Sequence, residues 1–234
     1  RGIIGQEIGM IEDDPHWKCY MNLMKALFQH HPIRESVAGS VESIAKISPE
    51  TLYACHKAFY DPANMVLCVA GPVDPEHICQ VAREILPREA GPIAVKDYGE
   101  KEEPRAAQNL IEERMEVSAP IFHLGWKGEA RKNGEDRLRQ ELVGGLALEV
   151  LLGNSSPLYA KLYREGLINQ EFGYSYESDA ASAFLAANGE SRDPEAVRMA
   201  VAEEAVRIGR EGVDKKLWER VKKGVYGNRV RGLN

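Results

Sequence analysis

Residues 64–76 read NMVLCVAGPVDPE: an apolar run of strand length from Asn64 to Gly71, a short connection, and then Asp74-Pro75-Glu76. An aspartate before a proline marks a helix start. Its carboxylate accepts hydrogen bonds from the first free N–H groups, and proline carries the φ of the first helical position. The apolar run is rich enough to be a strand buried on both faces. The same order returns in the second half, where EFGYSYESDAASAFLAANGES alternates as a β-hairpin from about Glu171 to Asn188, and Gly189 leads to Asp193-Pro194-Glu195. A strand, turn and capped-helix unit used twice predicts an α+β fold of two related modules.

Outward from these units the pattern is mostly helical. Apolar residues spaced three to four apart predict a first helix over the opening segment RGIIGQEIGMIE and a second from Trp17 to Phe28, ended by His30, His31 and Pro32. Ser48 and Pro49 open a helix carrying Leu52, Cys55 and Phe59, and Asp74 opens one whose Ile78, Val81, Ile85 and Leu86 face inward. Periodicity then disappears from Pro87 to about Gln108. Prolines, glycines and the EKEEPR charges make that stretch a linker. The division is therefore a first domain at 1–90, a linker at 91–108 and a second domain at 109–234.

The second domain begins with NLIEERMEV and APIFHLGWKG, read as two strands of a hairpin or neighbouring pair. Helices follow over Glu135–Leu152, closed by Gly153, and after Ser155 or Ser156 with Pro157. Asp193 and Asp214 cap the last two.

Composition narrows the function. The 234 residues are 44% hydrophobic and 28% charged with net charge −6, which gives no general attraction to nucleic acid or an anionic membrane. The basic stretch Lys215–Arg231 also contains Glu219 and follows Asp214, as a solvated helix face does. Neither a bilayer-spanning apolar run nor a signal peptide is present. Cys19, Cys55, Cys68 and Cys79 show no CxxC pairing and read as reduced packing cysteines, which predicts a cytoplasmic protein.

Self-contained catalytic signatures are missing: the sequence has no GxSxG, P-loop, dinucleotide fingerprint or HExxH. His16, His30, His31, His56, His77 and His123 include no pair spaced to bind a metal from one helix face. Glu7 is the exception that draws attention. On the helical template Ile3, Ile4, Ile8, Met10 and Ile11 surround it, so it is expected to face inward. A carboxylate placed there takes an Arg or Lys partner, or coordinates a cation.

The segment RGIIGQEIGMIEDDP resembles the region of the pitrilysin and insulinase family of zinc peptidases that carries the glutamate zinc ligand, which falls on Glu7. HHPIRESVAGSVESIAKISPETL, FYDPANMVLCVAGPVDPE and, in the second module, LYREGLINQEFGYSYE follow in the order of that family, most similar to a bacterial branch. The resemblance covers nearly the whole chain. It implies pitrilysin-like domains with antiparallel or mixed sheets packed on helices, forming half of a clamshell around short or unfolded peptides.

The family's HxxEH motif, source of two histidine ligands and of the glutamate that activates the zinc-bound water, is absent here. The resemblance therefore implies a fragment of a zinc metalloendopeptidase, beginning just before Glu7 and truncated in its first module. It would bind zinc weakly or not at all alone, be inactive, and self-associate through exposed apolar surface. The alternative within the family is a non-catalytic partner or scaffold subunit.

Overall fold

The computed structural model describes residues 2–86 and 91–232. In chain order its elements are α1 (Gly2–Glu12), α2 (Pro15–Leu27), α3 (Val41–Ala45), α4 (Pro49–Phe59), α5 (Pro75–Ile85), β1 (Ile121–Lys127), α6 (Gly134–Leu152), α7 (Pro157–Arg164), β2 (Gly173–Ser178), β3 (Ala183–Glu190), α8 (Pro194–Glu211) and α9 (Lys215–Gly232). This is an α+β fold with a small antiparallel sheet packed against helices. Ser48, Asp74, Ser156 and Asp193 each accept from a backbone N–H at the head of a helix whose first residue is proline, as expected. Asp14 does the same for α2, which begins at Pro15, two residues before the expected start at Trp17. Pro87, the start of the expected linker, lies outside the described residues.

The chain divides into two compact units, Arg1–Gly5 with Gly39–Asp97, and Gln6–Ala38 with Tyr98–Asn234. In the stretch from Gly39 to Asp97, helices α3, α4 and α5 are joined by irregular segments. The expected strand Asn64–Gly71 does not form, and its side chains are open to solvent, with Met65 53%, Val66 93%, Leu67 66% and Val69 45% exposed. A strand exists only through a hydrogen-bonded neighbour. No described residue supplies one to this segment. For the same want of cover, Ile85 and Leu86, expected to face inward from α5, are 75% and 46% exposed, and Ile78 and Val81 are only half-buried.

The second unit contains a three-stranded antiparallel sheet in the order β1-β3-β2. The expected hairpin of β2 and β3 forms, Gly173 opposite Asn188 and Ser178 opposite Ala183. The other expected pairing does not. Residues 109–117 form no strand, and β1 pairs with β3, Ile121 opposite Glu190 and Lys127 opposite Phe184.

Strand alternation divides β3 between two cores. Phe184 and Ala186 pack with Leu23, Met24, Leu27 and Phe28 of the α2 segment. Ala187 turns to the opposite face, with Phe122 of β1, Leu148 and Leu152 of α6, Leu158 and Leu162 of α7, and Val197 and Val201 of α8. The sheet is thus the middle layer between α2 and the α6–α7–α8 group. Gly125, facing Ala186 in the ladder, lets α2 approach: a Cβ there would stand 2.6 Å from Leu23 Cδ1 and 2.9 Å from Leu27 Cδ1.

Candidate functional site

α1 forms where the apolar spacing places it, but Glu7 does not face inward. Its side chain is exposed, as are Ile3 and Met10, each 75% exposed, whereas Ile8 is 2% exposed. Ile8 stands about 100° round the helix from Glu7. The buried side of α1 and the side bearing Glu7 are therefore different sides. Among the described residues no group of three or more His, Cys, Asp or Glu side chains could hold a metal ion, so the donors present do not make up a zinc site. Glu7 belongs to no such group among the described residues.

The four cysteines are free; Cys55, Cys68 and Cys79 are exposed instead of packed, and Cys19 is half-buried. Burial pushes the Cys19 thiol above its ordinary value, against a lowering by the backbone of His123. That makes it a poor nucleophile. His123, on the β1 face toward α2, has a buried Nδ1 without a hydrogen-bond partner and meets the Tyr20 ring edge-on at 5.9 Å. Burial, and secondarily the charge of His16, bring its pKa down to about 4. It is a neutral imidazole near pH 7.

The densest polar cluster lies where α2 ends. Glu102 accepts backbone N–H groups from Gln29 at 2.5 Å, His30 at 2.9 Å and His31 at 2.7 Å. Lys127 Nζ donates to the same carboxylate at 2.8 Å, both side chains being nearly buried. Burial alone would raise the Glu102 pKa. The Lys127 bond and the three amides overcome it and take the pKa down to about 2.

His31 is buried, accepts from Ile33 N at Nδ1 and stacks on Tyr98, their centroids 5.3 Å apart. In the sequence these residues have the pattern of a helix end and a charged linker. Nothing local foretells the meeting, since Glu102 and His31 are 71 positions apart.

On the opposite face of the sheet, Tyr174 of β2 donates its hydroxyl to Glu149 of α6 in a short hydrogen bond. Burial first, and Glu149 second, raise the Tyr174 pKa well above its ordinary value. The phenol stays protonated and locks strand to helix.

Comparison with known proteins settles the family. The peptidase M16 inactive domain matches residues 46–225.

The chain belongs to that family.

It is 33% identical over 237 residues to the uncharacterized zinc protease YmfH of Bacillus subtilis, covering 100% of this chain and 55% of that protein. The crystal structure of an M16-like peptidase from Alicyclobacillus acidocaldarius superposes with a TM-score of 0.89 at 30% identity, over 99% of this chain and 55% of that one. A peptidase M16 inactive domain from Pseudomonas fluorescens shares the fold, with a TM-score of 0.74 at 18% identity, over 97% of this chain and 54% of that one. This M16 chain thus spans about half the length of YmfH and of both structures. No described helix is long and apolar enough to cross a membrane.

Proposed function

We propose that this M16 chain acts within a zinc-dependent metalloendopeptidase that hydrolyses peptides in the cytoplasm, with Glu7 as the glutamate zinc ligand. The observation that carries the reading is the match along the whole chain to a relative named a zinc protease. Zinc, when bound, would supply the activated water. Two histidine ligands and the general base would come from an HxxEH motif, which these 234 residues do not contain. What this chain brings is one carboxylate on the open side of α1, where a metal and its other ligands can reach it, and a second module with no catalytic group of its own.

The division into a first domain at 1–90, a linker at 91–108 and a second domain at 109–234 is part of the same proposal. So is self-association through the apolar side chains of Met65–Val69.

A non-catalytic partner or scaffold role is favoured by one observation, the match to the inactive domain of the family. Zinc titration of the protein that joins this chain to HxxEH, with and without Glu7→Gln, separates the two. The metalloendopeptidase reading expects the substitution to weaken zinc binding at least tenfold and to abolish peptide hydrolysis. Zinc affinity unchanged by Glu7→Gln removes Glu7 from the site and favours the scaffold.

A further inference from the structure

Residues 98–113 form neither helix nor strand, yet they are tied to α2 along its length in antiparallel order. Tyr98 stacks on His31, and Glu100 lies 3.6 Å from His30 Nδ1. Glu102 takes the amides of Gln29, His30 and His31. The Gln108 amide donates to the Ala26 carbonyl at 2.9 Å. Finally Glu113 accepts from Asn22 Nδ2 at 2.9 Å and pairs with Lys18 at 3.6 Å. As the segment advances, its partners recede from His31 to Lys18.

Apart from the Tyr98–His31 ring stack these ties are polar. None of the hydrophobic clusters contains a residue of this segment, and Leu110 is 70% exposed. A segment so held can detach without opening a core, because its release exposes little apolar surface.

Glu102 is the strongest tie and an unusual one. It sits beyond the C-terminal end of α2, where the helix dipole disfavours an anion. Three consecutive N–H groups form a concave nest that reverses this preference, and Lys127 closes the nest from β1. Lys127 also bonds the Arg105 carbonyl at 3.3 Å, so one ammonium holds the strap at two places.

We propose that residues 98–113 are a releasable strap over α2, fastened by a carboxylate latch in which Glu102 occupies the Gln29–His31 amide nest and Lys127 locks it. Opening is a local transition that frees the outer side of α2 and empties an anion-binding nest, while the sheet and its helices stay folded. The proposal is independent of zinc and of Glu7.

Hydrogen–deuterium exchange on the whole 234-residue chain tests it. Glu102→Gln keeps the shape and removes the charge; it is expected to speed exchange of the Gln29, His30, His31 and Gln108 amides about tenfold or more, because a charge-assisted bond is lost. The amides of β3 and α6 should change less than about twofold under the same local-opening scheme. Lys127→Met should reproduce the effect with the carboxylate in place, and the double variant should add little to either single one. The same comparison is made on Lys127→Met if Glu102→Gln does not fold. Unchanged exchange at residues 29–31, acceleration only in step with β3, or fully additive variants would each overturn the latch.

Discussion

Lys127 Nζ lies 2.8 Å from Glu102 Oε1 and ties that carboxylate to the sheet. Its stem reaches the position because Lys127 opposes Phe184 in the ladder, on the face that packs against α2. The ammonium stands 5.0 Å from the centre of the Phe28 ring, which adds a cation–π contact to the ion pair.

Acid should weaken this arrangement in a defined window. The folded pKa of Glu102 is lowered from 4.5 to about 2, so its contribution is fully present above about pH 5 and is lost as the pH falls toward 2. Urea unfolding should show Glu102→Gln less stable than the parent chain by about 2 kcal/mol at pH 7, with the gap narrowing steadily below pH 4.5. A gap independent of pH would mean that shape, not charge, holds Glu102.

His123 should act in a higher range. Its folded pKa is depressed to about 4, against an ordinary value near 6.5, so the unfolded chain takes up the proton first and stability falls as the pH drops between those values. The parent chain should lose about 2 kcal/mol relative to His123→Leu between pH 7 and pH 4. Ring resonances of His123 that titrate near 6.5 in the folded chain would contradict this.

Adjacent glycines of α6 should respond oppositely to alanine. A Cβ on Gly144 would meet Tyr176 Cδ2 at 2.6 Å, whereas one on Gly145 meets nothing within 4 Å. Gly145→Ala should stabilise by about 0.5–1 kcal/mol through helix propensity. Gly144→Ala should lose that gain to overpacking against β2 and destabilise by about 1–2 kcal/mol net. Thermal unfolding of the two variants is the measurement, and equal shifts would show that α6 does not sit close on Tyr176.

The exposed run Met65–Val69 should drive association of the isolated chain. Val66 and Leu67 are 93% and 66% exposed beside an exposed Met65. Sedimentation equilibrium should show concentration-dependent self-association that Val66→Lys with Leu67→Lys reduces. A monomer at every concentration would exclude it.

The contrast between Asp74 and Asn64 shows how far local reading reaches. Asp74 caps α5 through a bond to Glu76 N, two positions away, and any chain with those neighbours can make it. The apolar run after Asn64 needs a partner strand, and the described residues provide none. The hairpin of β2 and β3 was legible because both its strands and its turn are contiguous, the turn being held by Asp179 on the amides of Ala181 and Ser182. β1 was legible as a strand, but its pairing with β3 joins residues about 60 positions apart and had no sequence signal.

At Glu7 the helix was readable and the orientation was not. Ile3, Ile4, Met10 and Ile11 cluster on the side of Glu7, yet α1 buries Ile8. Periodicity defines an apolar face; only a neighbouring element decides whether that face is covered.

By itself, then, the sequence determined the helices, their aspartate and serine caps, the β2–β3 hairpin and the resemblance to M16 zinc peptidases, because each rests on residues close together in the chain. The tertiary structure alone decided the β1–β3 pairing, the exposure of Glu7 and the seating of Glu102 on the Gln29–His31 amides under Lys127. Those depend on surfaces brought together from distant segments, and burial and electrostatics are properties of that assembled neighbourhood.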